Sequence, residues 1–220
     1  RAGAHLLAGE LSAAADLATE EALVAEITGA RIAPYGSLGF AAFAGREADA
    51  LPLIAGGGPD ARQRGEGVGL GFIGWAAAVL YNGLGRYAEA YPAAQEAVRD
   101  VPAQRFRNWA LAELVEAAVR TGNVDEAAAA LSRLEEVTVA SESPWARGVL
   151  ARSRASLSAG DAAEGLYRQA IGHLEGTRLR PDHARAQLLF GEWLRRQRRT
   201  GEARDRLRRA HTEFQDMGMA

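Results

Sequence analysis

The segment that decides the fold is Phe72-Ile-Gly-Trp75-Ala-Ala-Ala78-Val-Leu-Tyr81-Asn-Gly-Leu-Gly85-Arg-Tyr87-Ala-Glu-Ala90-Tyr-Pro-Ala-Ala94-Gln-Glu-Ala97-Val-Arg-Asp-Val-Pro102. It reads as two helices joined by a tight turn. Gly85 suits the left-handed residue that ends a helix. Ala90, five residues later, is small enough to let two helix backbones come close. Ala78, Ala94 and Ala97 extend the same small-residue face.

The pattern of Gly followed by a small residue five positions on recurs along the chain. It occurs at Gly9/Ala14, Gly45/Ala50, Gly85/Ala90, Gly122/Ala127 and Gly160/Gly165, and a sixth copy keeps only the second member, Arg198/Ala203. The successive spacings are 36, 40, 37, 38 and 38 residues. Seven residues before the turn stand Ala2, Leu38, Ala78, Val115, Ser153 and Gly191; nine after it stand Ala18, Ile54, Ala94, Leu131, Gln169 and Leu207. A fixed period in this range marks a stacked repeat array. The copy over 146–176 is the most degenerate, with Gly165 and Gly172 where Ala is expected. Pro102, Pro144 and Pro181 fall between hairpins and suit first helical turns.

The spacing predicts helices over 10–27, 33–44, 47–55, 66–84, 87–100, 105–121, 124–139, 145–159, 162–175, 182–199 and 201–217. No stretch alternates apolar and polar residues for long enough to read as a strand. The expected architecture is all-α: a right-handed α-solenoid of about 11 helices, a single repeat domain with hairpins at 1–28, 31–65, 66–102, 105–140, 145–177 and 182–218. Gly56-Gly57-Gly58-Pro59-Asp60 falls inside the second helix of the second hairpin. Three Gly and a Pro predict a helix end near Ala55 and a mobile segment to about Gly65.

Composition fits this reading. The 220 residues are 48% hydrophobic and 25% charged, with a net charge of −2. There are 48 Ala, and all 26 basic residues are Arg. Ala is the best helix former and Arg is close behind it. The absence of Cys removes disulfides, thiolate metal sites and thiol nucleophiles. No apolar run reaches the ~18 residues of a membrane span, and no signal peptide is visible. The expected location is cytoplasmic. The chain starts without Met and in mid-pattern, which reads as a fragment of a longer protein or a processed product. Charge is split: residues 1–150 hold 12 Arg and 19 acids (−7), and residues 151–220 hold 14 Arg and 9 acids (+5).

Chemical motifs are weak. The run Gly65-Glu-Gly67-Val-Gly69-Leu-Gly71 lacks the Lys of a phosphate loop and has neither Rossmann spacing nor a preceding strand. Tyr35-Gly-Ser37-Leu-Gly39 lacks the first Gly of a nucleophile elbow. His5, His173, His183 and His211 have no metal-ligand spacing. No catalytic residue, metal site or cofactor is expected, and the chain is not read as an enzyme. The Arg195–Arg209 cluster is interleaved with Glu192, Glu202, Asp205 and Glu213 at ion-pair spacings. It reads as a solvated or docking face, with no direct contact to nucleic acid.

The Phe72–Pro102 copy resembles the tetratricopeptide repeat in its sequence of small residue, aromatic, Gly, Tyr, Ala and terminal Pro. The segments Trp75–Tyr87, Asn108–Arg120 and Ala184–Arg196, together with Thr177–Pro181 and His211–Phe214, resemble the helical-repeat region of large ATP-binding regulators of the LuxR family, the actinobacterial ones especially. That resemblance covers essentially the whole chain. It implies a sensor that binds a small inducer or a regulatory protein or peptide, and couples it to an ATPase module before it and a helix-turn-helix domain after it. Homo-oligomers are also implied. In this family the helix around Gly56–Asp60 continues. The alternative is a stand-alone scaffold or adaptor whose groove holds a partner peptide. In either case the first helices line the groove. The groove candidates are Tyr35, Phe43, Trp75, Asn82, Trp109, Glu116, Arg120, Arg147, Arg154, Glu192 and Arg195, while Trp145 and Trp193 are expected to serve packing.

Overall fold

The computed structural model describes residues 1–29, 33–99, 104–141 and 143–219. Twelve helices are present among them. They form six hairpins: α1 (Ala2–Ala8) with α2 (Leu11–Thr28), α3 (Tyr35–Phe43) with α4 (Glu47–Gln63), and α5 (Gly67–Gly83) with α6 (Tyr87–Val98). The series continues with α7 (Gln104–Thr121) and α8 (Val124–Ser141), α9 (Pro144–Leu157) and α10 (Gly160–Leu174), and α11 (Arg180–Arg196) and α12 (Thr200–Met217). Each helix packs on its hairpin partner, and the second helix of a hairpin packs on the first helix of the next. The result is the expected all-α solenoid.

The turn column behaves as its chemistry demands. Gly9, Gly45, Gly85 and Gly122 all have φ between 68° and 80°. Arg198, the one copy without Gly, adopts the same left-handed conformation at φ 61°. The small-residue column is sealed: Ala14, Ala50, Ala90 and Ala127 are fully buried and Ala203 nearly so. Pro144 and Pro181 each open a helix, and the Ser143 side chain caps α9 by accepting from the Ala146 amide at 3.2 Å. Pro102 lies outside the described residues.

Two expectations need correction. The first is the break after Ala55: α4 runs unbroken from Glu47 to Gln63 with Pro52 and Pro59 inside it. Tertiary packing overrides local propensity here. Ala50 and Ala61 are fully buried, and Leu53 and Ile54 pack on the core. Gly57 sits so close to α5 that an added Cβ would lie 3.1 Å from Ile73 Cδ1. Asp60 pairs with Arg64 at the helix end, and Arg62 reaches Glu96 of α6 at 3.1 Å. The carbonyls that Pro52 and Pro59 leave without a donor belong to Ala48 and Ala55, both exposed, so water can serve them.

The second correction is the register of the fifth copy. In four of the other hairpins the sealed Ala stands four residues after the residue that caps the second helix, as Ala50 follows Arg46 and Ala90 follows Arg86. In α10 the cap is Ala159, and the sealed residue is Ala163. Gly165 is only half-buried and has nothing within 4 Å of its missing Cβ. Gly160 is the first residue of α10, and the chance Gly at that point shifts the sequence frame two residues late.

The first helices α1, α3, α5, α7, α9 and α11 form an inner layer, each packed on the next, and α1 also packs on α11. The inner layer is therefore a closed ring. At the seam, an added Cβ on Gly9 would collide with Met217, and Arg178 pairs with Glu10 at 3.2 Å.

Candidate functional site

The ring encloses a cavity of about 230 Å³. Its wall holds five aromatic side chains: Phe43 from α3, Trp75 from α5, Trp109 from α7, Trp145 from α9 and Phe214 from α12. Trp75 is the hub of the first group. It meets Phe43 edge-on at 5.7 Å and Trp109 at a tilt with centroids 5.1 Å apart. Leu7 of α1 and Met219 beyond α12 complete the wall, so both ends of the array line the same space.

Four charged residues also line it: Glu113, Arg152, Asp182 and Arg185. Their positions follow from helical periodicity. Glu113 stands one turn after Trp109 on α7, and Arg152 two turns after Trp145 on α9. Arg152 is only 3% exposed. It donates to Asp182 Oδ1 at 3.1 Å, and the Trp145 indole N–H donates to Asp182 Oδ2 at 2.7 Å. Arg185 donates to both oxygens of Glu116, 3.1 Å from Nε to Oε2, and to the Asn82 carbonyl at 3.0 Å. These bonds tie α11 to α7 and α5 across the ring. Farther along, Arg120 pairs with Glu192 and lies over the Tyr87 ring at 5.1 Å.

Burial alone would disfavour charge on both members of the Arg185–Glu116 pair. Mutual attraction and hydrogen bonding outweigh it, holding the Glu116 carboxyl below the usual range and raising the Arg185 guanidinium further above its own. Glu113 is different. Burial, followed by the neighbouring Glu116 carboxylate, pushes it up, against the pull of Arg152, Arg185 and the Asn82 hydrogen bond. Asn82 Nδ2 donates to its Oε2 at 2.8 Å and to its backbone carbonyl at 3.1 Å. Asn82 is itself 2% exposed, and its Oδ1 has no partner among the described residues.

Of the groove candidates, Phe43, Trp75 and Trp109 reach the cavity wall, and Asn82 and Glu116 stand directly behind it. Arg120 and Glu192 are joined to each other. The other four lie elsewhere. Tyr35 donates its hydroxyl to Glu66 at 2.9 Å and packs edge-on to Phe72. Arg154 pairs with Glu135 of α8 at 2.8 Å, so it points away from the ring. Arg147 is exposed outside the cavity. Arg195 belongs to a shallow basic depression with Arg204, Arg208 and His211. Trp193 packs as expected, 6% exposed beside Phe190 and Tyr167. Trp145 does more than pack, since it lines the cavity and holds Asp182. Glu113, Arg152, Asp182 and Arg185 were not among the candidates. The i, i+4 spacing of Trp109 and Glu113 was the one available signal for them.

Known protein families, curated proteins and solved structures contain no match to this chain. The described residues hold no cluster of three or more potential metal ligands, and no helix among them is long and apolar enough to cross a membrane.

Proposed function

We propose that this chain is the sensing repeat domain of a transcriptional regulator of the LuxR type, and that a small inducer occupies the cavity of its ring. The observation that carries the sensing role is the composition of the cavity wall. Leu7 stands near one end of the array and Phe214 and Met219 near the other, with Trp75, Trp109 and Trp145 between them. An occupant that fills the cavity therefore contacts both ends at once. A ligand shifts a conformational equilibrium by the difference in its affinity for the two states, and here any opening of the seam would change its contacts. The cavity is a binding pocket in character, mostly apolar with a few convergent polar groups. The regulator part rests on the segment resemblance over Trp75–Tyr87, Asn108–Arg120 and Ala184–Arg196.

The ring interior favours a small molecule over an extended peptide. Arg185 bridges α11 to Glu116 of α7 and to the Asn82 carbonyl of α5, so the path through the ring is crossed by fixed side chains.

The test is a thermal-shift panel of small metabolites followed by hydrogen exchange. A ligand that raises Tm and slows exchange in both α1 and α12 is the expected result. Failure of every compound, with tight binding of a partner peptide, would overturn the reading in favour of a scaffold. Flanking sequence in the gene is expected to encode an ATPase module before this region and a helix-turn-helix after it.

A further inference from the structure

The charges on the cavity wall do not all have the same standing. Arg152 and Asp182 neutralise each other, and both Asp182 oxygens are occupied. Arg185 is neutralised by Glu116. Glu113 forms no ion pair among the described residues, and its Oε1 accepts no hydrogen bond there. Counted by pairs, the wall carries one uncompensated carboxyl. It stands one helical turn from the Trp109 indole, with Phe43, Trp75 and Trp145 on the surrounding wall.

Resting on the sensing reading above, we propose that the cavity takes a small apolar organic cation, a protonated amine or quaternary ammonium, whose charge meets Glu113 and whose body lies against the indoles of Trp109 and Trp145. Aromatic rings attract cations through their quadrupole, most strongly where water is excluded. An opposite charge also relieves the penalty of a carboxylate partly withdrawn from water. An anionic ligand fits less well, because the two cations on the wall, Arg152 and Arg185, are already neutralised by Asp182 and Glu116. The cavity falls just under the ~300–1,000 Å³ typical of drug-sized ligands, so the cation is a small one.

The test compares three probes of one shape by calorimetry: 2-phenylethylammonium, neutral 2-phenylethanol and anionic 3-phenylpropanoate. The wild-type chain is expected to bind the ammonium at least tenfold more tightly than the alcohol, and the carboxylate least tightly. Glu113→Gln keeps an acceptor for Asn82 Nδ2 and is expected to bring the ammonium to the level of the alcohol, leaving the alcohol within twofold. Trp109→Leu is expected to weaken both. Equal binding of ammonium and alcohol by the wild type, or tightest binding of the carboxylate, overturns the cation while leaving small-molecule sensing intact. Binding of none of the three also overturns it, and the metabolite panel then decides the sensing reading separately. The wild-type comparison stands even if a variant fails to fold.

Discussion

Two aromatic clusters sit in this ring, built from the same kinds of side chain and put to different ends. Tyr167, Phe190 and Trp193 fill the space between the last two hairpins, with Tyr167 and Phe190 stacked at 5.4 Å and each 1% exposed. Phe43, Trp75, Trp109 and Trp145 instead share a cavity wall with Glu113, Arg152, Asp182 and Arg185. The first cluster lies between helices that touch on every side. The second lies where six inner helices curve around a space too wide for their side chains to close. Ring chemistry does not separate a core from a site here. What separates them is whether the helices behind the rings converge.

The contrast should show most strongly in stability. Phe190→Ala is expected to lower the free energy of unfolding by about 3–5 kcal/mol, whereas Trp109→Leu should cost less than about 2 kcal/mol because its side already faces open space. Urea denaturation decides this; equal losses would make the cavity wall ordinary core. Arg185→Met is expected to cost about 3–5 kcal/mol, because Glu116 would be left buried without its cation. Arg154→Met, which breaks only the exposed pair with Glu135, should cost under about 1 kcal/mol. Adding Glu116→Gln to Arg185→Met should restore most of the loss.

Arg198→Gly should raise stability by about 1 kcal/mol, since Gly adopts positive φ without the side-chain clash. The subtlest effect concerns pH. Glu113 faces Glu116 on its own helix, Arg152 from α9, Asp182 and Arg185 from α11, and Asn82 from α5. Its folded pKa is raised, so its contribution is intact below the unfolded value of about 4.3 and erodes as pH rises through the folded one. Glu113→Gln should therefore melt higher than wild type at neutral pH, and the difference should vanish in acid. A Tm gap that does not change with pH would show that Glu113 is not a strained carboxyl.

The six-hairpin frame was legible because its signals are local. A left-handed turn residue and a close approach four residues past a helix cap each concern a few neighbouring side chains. Where the frame failed, a local signal competed with a distant one. Gly56–Pro59 argues for a break, but Ala50, Ala61 and the Ile73 contact hold the helix from outside it. The cavity was half legible. Phe43, Trp75 and Trp109 follow from the inward register of first helices. Arg152, Asp182 and Arg185 carry no such local signal, because their burial depends on ring closure. That closure is the sum of small rotations over six hairpins, and no single segment encodes it.

The seam at Gly9, Met217, Glu10 and Arg178 also changes what kind of object the array is. In an open solenoid each repeat touches only its neighbours, so the terminal repeats can fray one by one. Here residue 10 is tied to residue 178, and the order of hairpins has become circular. The first and last repeats thereby gain a contact that an open array would lack. Loosening one hairpin opens the circle for all six, which favours unfolding as one unit and makes joining the first hairpin to the last the step with the longest loop to close.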